Sequence, residues 1–219
     1  MRVTGPTARC AVVCVNGGQA REVEGTWSAS LEWLVGRLAT RLPDIAFAEV
    51  RYRVKSWKRL DSCIEDARAA VREVGAARTM LVGFSMGGAV SIGIADERGV
   101  EGVVGLAPWI PAELDVSRLH GKRLTVFHGA LDRWVPGIPG VSARHSRKGF
   151  ERAHARGADG RYVLIRGGVH GLALRSPWGG LVTLPRADRW AELVEEELRR
   201  FAGGRAVRPT AAAEPRGSG

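Results

Sequence analysis

The sequence predicts an α/β protein built on a mostly parallel sheet of six strands, with helices on both faces. Six short apolar runs rich in valine, isoleucine and leucine are typical of strands buried on both sides. Between them lie segments whose apolar residues recur every three or four positions, the spacing of a helix face packed on a sheet. This alternation favours parallel strands joined by helical crossovers, and 219 residues suffice for one such domain.

The predicted elements follow one another along the chain. Strands are predicted at 10–15, 45–50, 79–84, 102–107, 123–129 and 162–167. Helices are predicted from Trp27 to Leu42, then at 60–74, 86–96 and 142–156, and a last helix carries the apolar stripe Trp190, Leu193, Val194, Leu198 and Phe201. We expect residues 1–202 to form the domain and residues 203–219, which have no apolar face, to form a disordered tail.

Charge and cysteine content narrow the class of protein. The net charge is +10, but Lys and Arg are dense only at 51–59 and 144–156, and the second stretch is typical of a solvated helix face. We therefore expect neither a nucleic acid nor a membrane as partner. The apolar run 10–15 is too short to span a bilayer, and the segment before it is a poor signal peptide. Three cysteines without a C-x-x-C pair predict a cytoplasmic protein with no metal or other cofactor.

Three residues that could carry chemistry follow predicted strands, where parallel sheets place their active sites. Ser85 lies in GFSMGG (83–88), Asp132 in FHGALDRWVP (127–136) and His170 in GGVHG (167–171). A serine hydroxyl attacks a carbonyl usefully only when a histidine accepts its proton, and an aspartate must hold that imidazole in the correct tautomer. The sequence therefore predicts a nucleophile, an acid and a histidine in that order.

The residues around Ser85 fit a tight turn from strand to helix. Side chains at Gly83 and Gly87 would clash where the strand and the helix crowd together, and the backbone N–H of Met86 points toward the developing negative charge. The G-x-S-x-G pattern alone is weak, since chance gives roughly 0.2 per chain of this composition. The strand, the helix, the acid and the histidine at their expected places make it specific.

These motifs and their order resemble those of the α/β-hydrolase superfamily, in particular small lidless serine carboxylesterases and dienelactone-hydrolase-like enzymes. Dienelactone hydrolases use cysteine where this chain has Ser85, which favours the esterase. The resemblance implies a second oxyanion donor in the turn NGGQ (16–19), with Gly18 as the choice and Gln19 second. It also implies that the two antiparallel strands that usually open the fold are missing. The connection 108–122 is too short for a helical cap.

Other residues are alternatives to these or lie near them. Asp115 is an alternative acid, although no strand directly precedes it, and His128 is interpreted as a structural neighbour of the acid turn. The remaining histidines, His120, His145 and His154, lie in surface-like segments. Four tryptophans near strand ends are candidates for the walls of a substrate pocket: Trp57, Trp109, Trp134 and Trp178.

The sequence thus predicts a hydrolase that cleaves a small-molecule carboxylic ester through an acyl-enzyme intermediate. The alternative is a thioesterase or acyltransferase whose basic segment 51–59 meets an acidic carrier protein or the phosphates of coenzyme A. A peptidase or a perhydrolase would use the same three residues. A ligand-binding protein without activity is a further alternative. The acyl group, the alcohol group and the oligomeric state stay open.

Overall fold

A computed structural model describes residues 1–6, 9–132 and 140–204, and a seven-stranded sheet forms its centre. The strands of this sheet are β1 (Arg2–Thr4), β2 (Cys10–Val15), β4 (Ile45–Glu49), β6 (Arg78–Phe84), β7 (Val100–Leu106), β8 (Arg123–Gly129) and β9 (Asp159–Ile165). Shorter strands form two separate pairs, β3 (Val23–Glu24) with β5 (Val54–Lys55) and β10 (Ala173–Arg175) with β11 (Leu181–Thr183). The helices are α1 (Ala29–Leu38), α2 (Leu60–Val74), α3 (Met86–Gly93), α4 (Ala143–Ala155) and α5 (Ala187–Gly203), and short 3-10 helices cover Trp57–Arg59 and Val116–Leu119.

The strand order of the sheet is β1-β4-β2-β6-β7-β8-β9. All six predicted strands are present and parallel to one another, which confirms the predicted α/β class. The sheet is one strand larger than predicted, because β1 pairs antiparallel with β4. Three residues are too few to show a periodic pattern. An ion pair from Arg2 to Glu49, on the neighbouring strand, helps to fix β1 instead.

The helices cover both faces of the sheet. One apolar core lies between the sheet and the helices α1 and α5 and includes Trp190, and the other lies under α2, α3 and α4. Alternate residues of β2 enter the two cores, Val12 and Cys14 on one face and Val13 and Val15 on the other. Because β2 is buried on both sides, its sequence is continuously apolar instead of alternating.

Most helix boundaries lie within three residues of the prediction, but α1 ends at Leu38, four residues before the predicted end at Leu42. α1 begins at Ala29, two residues later than predicted, because the Ser28 side chain caps it by accepting a hydrogen bond from the Leu31 N–H. α5 ends at Gly203, next to the predicted end of the domain. Residues 205–219 lie outside the described part of the chain, so the predicted tail stays a prediction. No helix in the described ranges is long and apolar enough to cross a membrane.

The connection from β7 to β8 carries no cap domain, as the sequence predicted. Residues 107–122 are all described, and their only helical segment is the short 3-10 helix Val116–Leu119. Pro108 packs tightly against Gly88 and Gly105, so this connection starts by folding back onto α3. The carboxyl edge of the sheet is therefore not covered from this connection.

Two short strand pairs, absent from the prediction, also border that edge. Strands of two or three residues show no detectable period. The β10–β11 pair is fixed to α1, because the Ser30 hydroxyl accepts hydrogen bonds from the N–H groups of Leu172 and Ala173. The two pairs bring Lys55, from β5, and Leu174, from β10, to the same cavity.

Candidate active site

Ser85 occupies the turn from β6 to α3, near the middle of the sheet. Its backbone angles are φ 54° and ψ −119°, a combination that residues other than glycine rarely adopt. Its N–H donates to the carbonyl of Leu106 and its carbonyl accepts from the N–H of Trp109, both at 2.9 Å. Hydrogen bonds to Leu106, at the end of β7, and to Trp109, in the connection that follows, thus hold the strained turn in place.

Close backbone contacts explain the two glycines that flank Ser85. A Cβ on Gly83 would overlap the backbone carbonyl of Gly87 and would lie 2.7 Å from the Ser91 hydroxyl. A Cβ on Gly87 would overlap the carbonyl oxygen of Val15, in the neighbouring strand β2. The sequence pattern therefore reflects real crowding between β6, α3 and β2.

Replacing Gly87 with alanine is expected to destabilise the fold and distort the turn. The new methyl group meets backbone atoms that cannot rotate away, and such overpacking costs about 1–3 kcal/mol or more. Gly36→Ala is the matched control, because a Cβ at Gly36 in α1 meets nothing within 4 Å. That change is expected to raise the free energy of unfolding by about 0.5–1 kcal/mol. Urea unfolding of both variants checks this, and equal stabilities would contradict the crowding.

Asp132 and His170 are joined by a short hydrogen bond. Asp132 follows β8 and His170 follows the adjacent strand β9, and His170 Nδ1 lies 2.7 Å from Asp132 Oδ2. The two loops are tied together, since the Leu131 N–H donates to the Gly168 carbonyl at 2.8 Å. With Nδ1 engaged by the carboxylate, Nε2 is the ring nitrogen left for Ser85, which lines the same cavity as His170.

The Asp132 carboxylate is fully buried, and hydrogen bonds keep it ionised. Its Oδ1 accepts from the Val141 N–H at 3.2 Å, and its Oδ2 lies 3.1 Å from Nε2 of His128 as well as close to His170. Burial acts to raise the pKa of Asp132, but the hydrogen bonds from His128 and His170 outweigh it and hold the pKa below its usual value. Asp132 therefore stays negatively charged across the neutral pH range.

His128 is more than a neighbour of the acid turn. It is completely buried, and its Nε2 also lies 2.8 Å from the carbonyl oxygen of Val141. Because both groups facing Nε2 are acceptors, Nε2 carries the proton and Nδ1 accepts from the Ser146 hydroxyl, 2.8 Å away. A directed chain of hydrogen bonds thus ends on Asp132. The position of His128 in the sequence, four residues before Asp132, predicts a neighbour of this turn but not the hydrogen bond.

The turn 16–19 packs directly against Ser85. A Cβ on Gly17 would lie 3.4 Å from Cβ of Ser85, and one on Gly18 would overlap Sδ of Met86 and lie 2.6 Å from the indole of Trp57. A side chain at Gly18 would therefore require Met86 and Trp57 to move. The N–H of Met86 belongs to the first turn of α3 and has no acceptor within its helix.

Tyr52 and Trp57, which the sequence analysis did not link to this turn, hold it from outside. The Tyr52 hydroxyl donates to the carbonyl of Asn16 at 2.7 Å, and the backbone N–H of Trp57 donates to the carbonyl of Gln19 at 3.0 Å. The Asn16 side chain in turn donates to the carbonyl of Thr26 at 2.6 Å. The turn is therefore fixed at both of its ends before any ligand binds.

Two cavities meet at Ser85. The larger, of about 260 Å³, is lined by Ser85 and His170 together with, among others, Gly18, Trp27 and Lys55. The smaller, of about 180 Å³, has walls formed by Trp57, Ser85, Trp109, Gly140 and Val141. Ser85 and Trp57 belong to both cavities. A molecule that reaches Ser85 can therefore extend in two directions.

The four tryptophans expected at a pocket have different positions. Trp57 and Trp109 line the cavities at Ser85. Trp178, expected at the pocket wall, lies instead in the turn between β10 and β11. It is 92% exposed and is absent from the described walls of both cavities. Trp134 falls in residues 133–139, outside the described residues. Trp27, taken in the sequence analysis only as the start of a helix, lines the larger cavity instead.

The other candidates are engaged elsewhere. Asp115 is exposed and caps the 3-10 helix Val116–Leu119, where its Oδ1 accepts from the N–H and the hydroxyl of Ser117. None of the histidines His120, His145 and His154 is among the described residues that line the two cavities. A larger cavity of about 610 Å³ lies at the amino ends of the strands, where Arg78 pairs with Glu101. Within the described ranges, no three His, Cys, Asp or Glu side chains are placed to hold a metal ion.

Comparison with solved structures identifies the fold. Esterase PE8 superposes with a TM-score of 0.61 at 16% identity, over 91% of this chain and 97% of that one. MGS-M1, an α/β hydrolase from a Medee basin deep-sea metagenome library, gives 0.63 at 19% identity over 89% and 84%. A monoacylglycerol lipase from Paleococcus ferrophilus gives 0.63 at 14% identity over 90% and 96%. This chain therefore has the α/β-hydrolase fold. No protein-family model matches its sequence, and a search of curated proteins finds no match.

Proposed function

We propose that this protein is a serine hydrolase that cleaves carboxylic esters, with Ser85 as nucleophile, His170 as general base and acid, and Asp132 as the residue that orients His170. The observation that carries the proposal is the 2.7 Å bond from His170 to a buried, ionised Asp132, beside a cavity that His170 shares with the strained Ser85. A buried carboxylate on one imidazole nitrogen fixes the tautomer in which the other nitrogen accepts a proton.

The reaction runs in two halves. The Ser85 oxygen attacks the ester carbonyl carbon while its proton passes to Nε2 of His170, and a tetrahedral oxyanion forms. When this intermediate collapses, the bond to the alcohol oxygen breaks and His170 returns the proton to the leaving alcohol, which leaves an acyl-Ser85. Water then repeats the same steps, with His170 as base, and releases the carboxylic acid.

The backbone N–H groups of Met86 and Gly18 are the proposed donors to the oxyanion. Met86 supplies a first-turn N–H that has no acceptor within its helix, and Gly18 packs against the Met86 side chain. Because Tyr52 and Trp57 already fix the turn 16–19, these donors need no rearrangement when charge develops. The two cavities at Ser85 are proposed to hold the acyl and the alcohol parts of the ester.

The names of structural neighbours and the local charge both favour an ester over a thioester as the substrate. Neighbours with this fold include proteins named as an esterase and a monoacylglycerol lipase. In the basic segment 51–59, Arg51 pairs with Glu24 and Arg53 pairs with Asp66. These two arginines are therefore already neutralised, which leaves less positive charge for an acidic carrier protein or for coenzyme A phosphates.

A fluorophosphonate probe and a series of p-nitrophenyl esters test the proposal. We expect covalent labelling of Ser85 and turnover of short-chain esters, because both cavities are small. Thioesters with the same acyl groups are the comparison: a clear preference for them would favour the thioesterase alternative. A well-folded protein that neither reacts with the probe nor cleaves any ester or thioester would instead support a ligand-binding role.

We expect no interfacial activation. A lidded lipase gains activity at a lipid surface because its lid must open, whereas the connection 107–122 of this chain forms no lid. The rate on tributyrin should therefore follow simple saturation through its solubility limit. A sharp rise in rate at that limit would contradict this prediction, and a lid-bearing lipase measured beside it provides the control.

We propose the cytoplasm as the location and a small molecule as the partner. Cys10, Cys14 and Cys63 are free thiols, which suits a reducing compartment. Fractionation of the source cells, with an antibody to this chain, tests the location.

A further inference from the structure

Lys55 places a positive charge on the wall of the larger cavity. It belongs to β5, and pairing with β3 sets it opposite Val23. The side chain is half-buried and lines the cavity that also holds Ser85 and His170. Its Nζ makes one hydrogen bond, a 3.2 Å contact in which it donates to the hydroxyl of Thr26.

This ammonium group has no counter-ion among the residues that the structure describes. Two other basic residues of the segment 51–59 do have counter-ions, since Arg51 pairs with Glu24 and Arg53 pairs with Asp66. The described walls of the larger cavity contain no Asp or Glu, and Lys55 is the only Lys or Arg there. Burial lowers the pKa of Lys55, since water is partly removed and no carboxylate offsets the loss.

A half-buried charge without a partner is unfavourable, and in a binding cavity a ligand can supply the missing anion. Trp27 and Trp57 line the same cavity and offer aromatic surface for the carbon skeleton that links such an anion to the ester. We propose that Lys55 binds a carboxylate of the substrate, so that the enzyme prefers esters that carry a second, negatively charged group. This proposal rests on the proposed ester hydrolysis at Ser85.

Two pairs of esters that differ only in charge test the proposal. In the first pair, 4-acetoxybenzoate carries a carboxylate on the alcohol side of the ester, and its methyl ester is the neutral partner. In the second pair, p-nitrophenyl hydrogen adipate carries the carboxylate on the acyl side, and its methyl ester is again the neutral partner. After correction for uncatalysed rates, the enzyme should prefer the anionic member of at least one pair, by about tenfold in kcat/KM. Lys55→Met should remove that preference, measured as the ratio of kcat/KM between the two members of a pair, whereas Lys55→Arg should keep it.

Lys58→Met is the matched control, because Lys58 is an exposed lysine of the same segment that does not line either cavity at Ser85. It should retain the preference. Thermal unfolding of each variant separates a lost contact from a lost fold. If neither pair shows a charge preference, or if Lys58→Met loses as much as Lys55→Met, the assignment of Lys55 is wrong even when Ser85 hydrolyses neutral esters.

A binding measurement separates this inference from the proposed function. Calorimetric titration with 4-hydroxybenzoate should show binding to the wild type, with at least a tenfold weaker Kd in Lys55→Met and a dependence on salt. The methyl ester of the same phenol should bind both proteins equally. If the kinetic preference lies on the acyl side, monomethyl adipate and dimethyl adipate replace these two ligands. Absence of any difference with the pair so chosen overturns the anion site. Loss of probe labelling together with intact binding would overturn only the hydrolase.

Discussion

Replacing Ser85 with alanine is expected to abolish fluorophosphonate labelling and to lower kcat on p-nitrophenyl esters by roughly 10⁴-fold or more. The change removes only the hydroxyl oxygen and keeps the Cβ, so the strained turn and the fold should persist. The residual rate would come from the oxyanion donors and from substrate binding alone. Steady-state kinetics beside a thermal unfolding curve measures the effect.

Ser91→Ala is the matched control for this change. Ser91 lies on α3, the helix that follows Ser85, and is fully buried, and the described part of the chain offers its hydroxyl no hydrogen-bond partner. Labelling and turnover should therefore stay near the wild-type level. Labelling that persists in Ser85→Ala but disappears in Ser91→Ala would move the nucleophile to Ser91.

Replacing Asp132 with asparagine is expected to lower kcat by roughly 10³–10⁴-fold, with a smaller effect on KM. Asparagine keeps the shape, but it removes the charge that stabilises the His170 imidazolium. Its NH₂ group would also favour the tautomer of His170 that cannot accept a proton from Ser85. Because His128 donates to the same carboxylate, an amide there must also rearrange this buried hydrogen bond.

Asp115→Asn provides the comparison. Hydrogen bonds from Ser117 lower the pKa of Asp115, and this exposed carboxylate only caps a short 3-10 helix. Turnover should stay within about twofold, with at most a small loss of stability from the weaker cap. Near-normal turnover in Asp132→Asn together with a collapse in Asp115→Asn would exchange the roles assigned to the two aspartates.

Much of the fold could be predicted from local patterns. The six parallel strands are mainly apolar runs, and α1, α2 and α5 repeat their apolar residues on one face, so both signals lie within a few neighbouring residues. The strand β1 escaped prediction because three residues show no period, and its position depends on pairing with β4, to which the Arg2–Glu49 ion pair adds. These residues lie far apart in the sequence, and no local period reports such a pairing.

The candidate site, too, could be predicted from the sequence only in part. Ser85, Asp132 and His170 stand out in the sequence because each follows a strand within a short glycine-containing turn. Trp178 shares that kind of position but lies at the exposed tip of a hairpin. The residue types and their order thus indicate candidates, and the fold decides which of them meet.

The sequence by itself determined the α/β class, the order of the strands along the chain and the glycines that allow a tight turn at Ser85. The tertiary structure alone decided that Asp132 bonds both His170 and His128, and that Lys55 shares a cavity with Ser85. The physical reason is the separation of the residues along the sequence. Strand and helix periods arise between residues a few positions apart, whereas these hydrogen bonds and cavities join residues that only chain folding brings together.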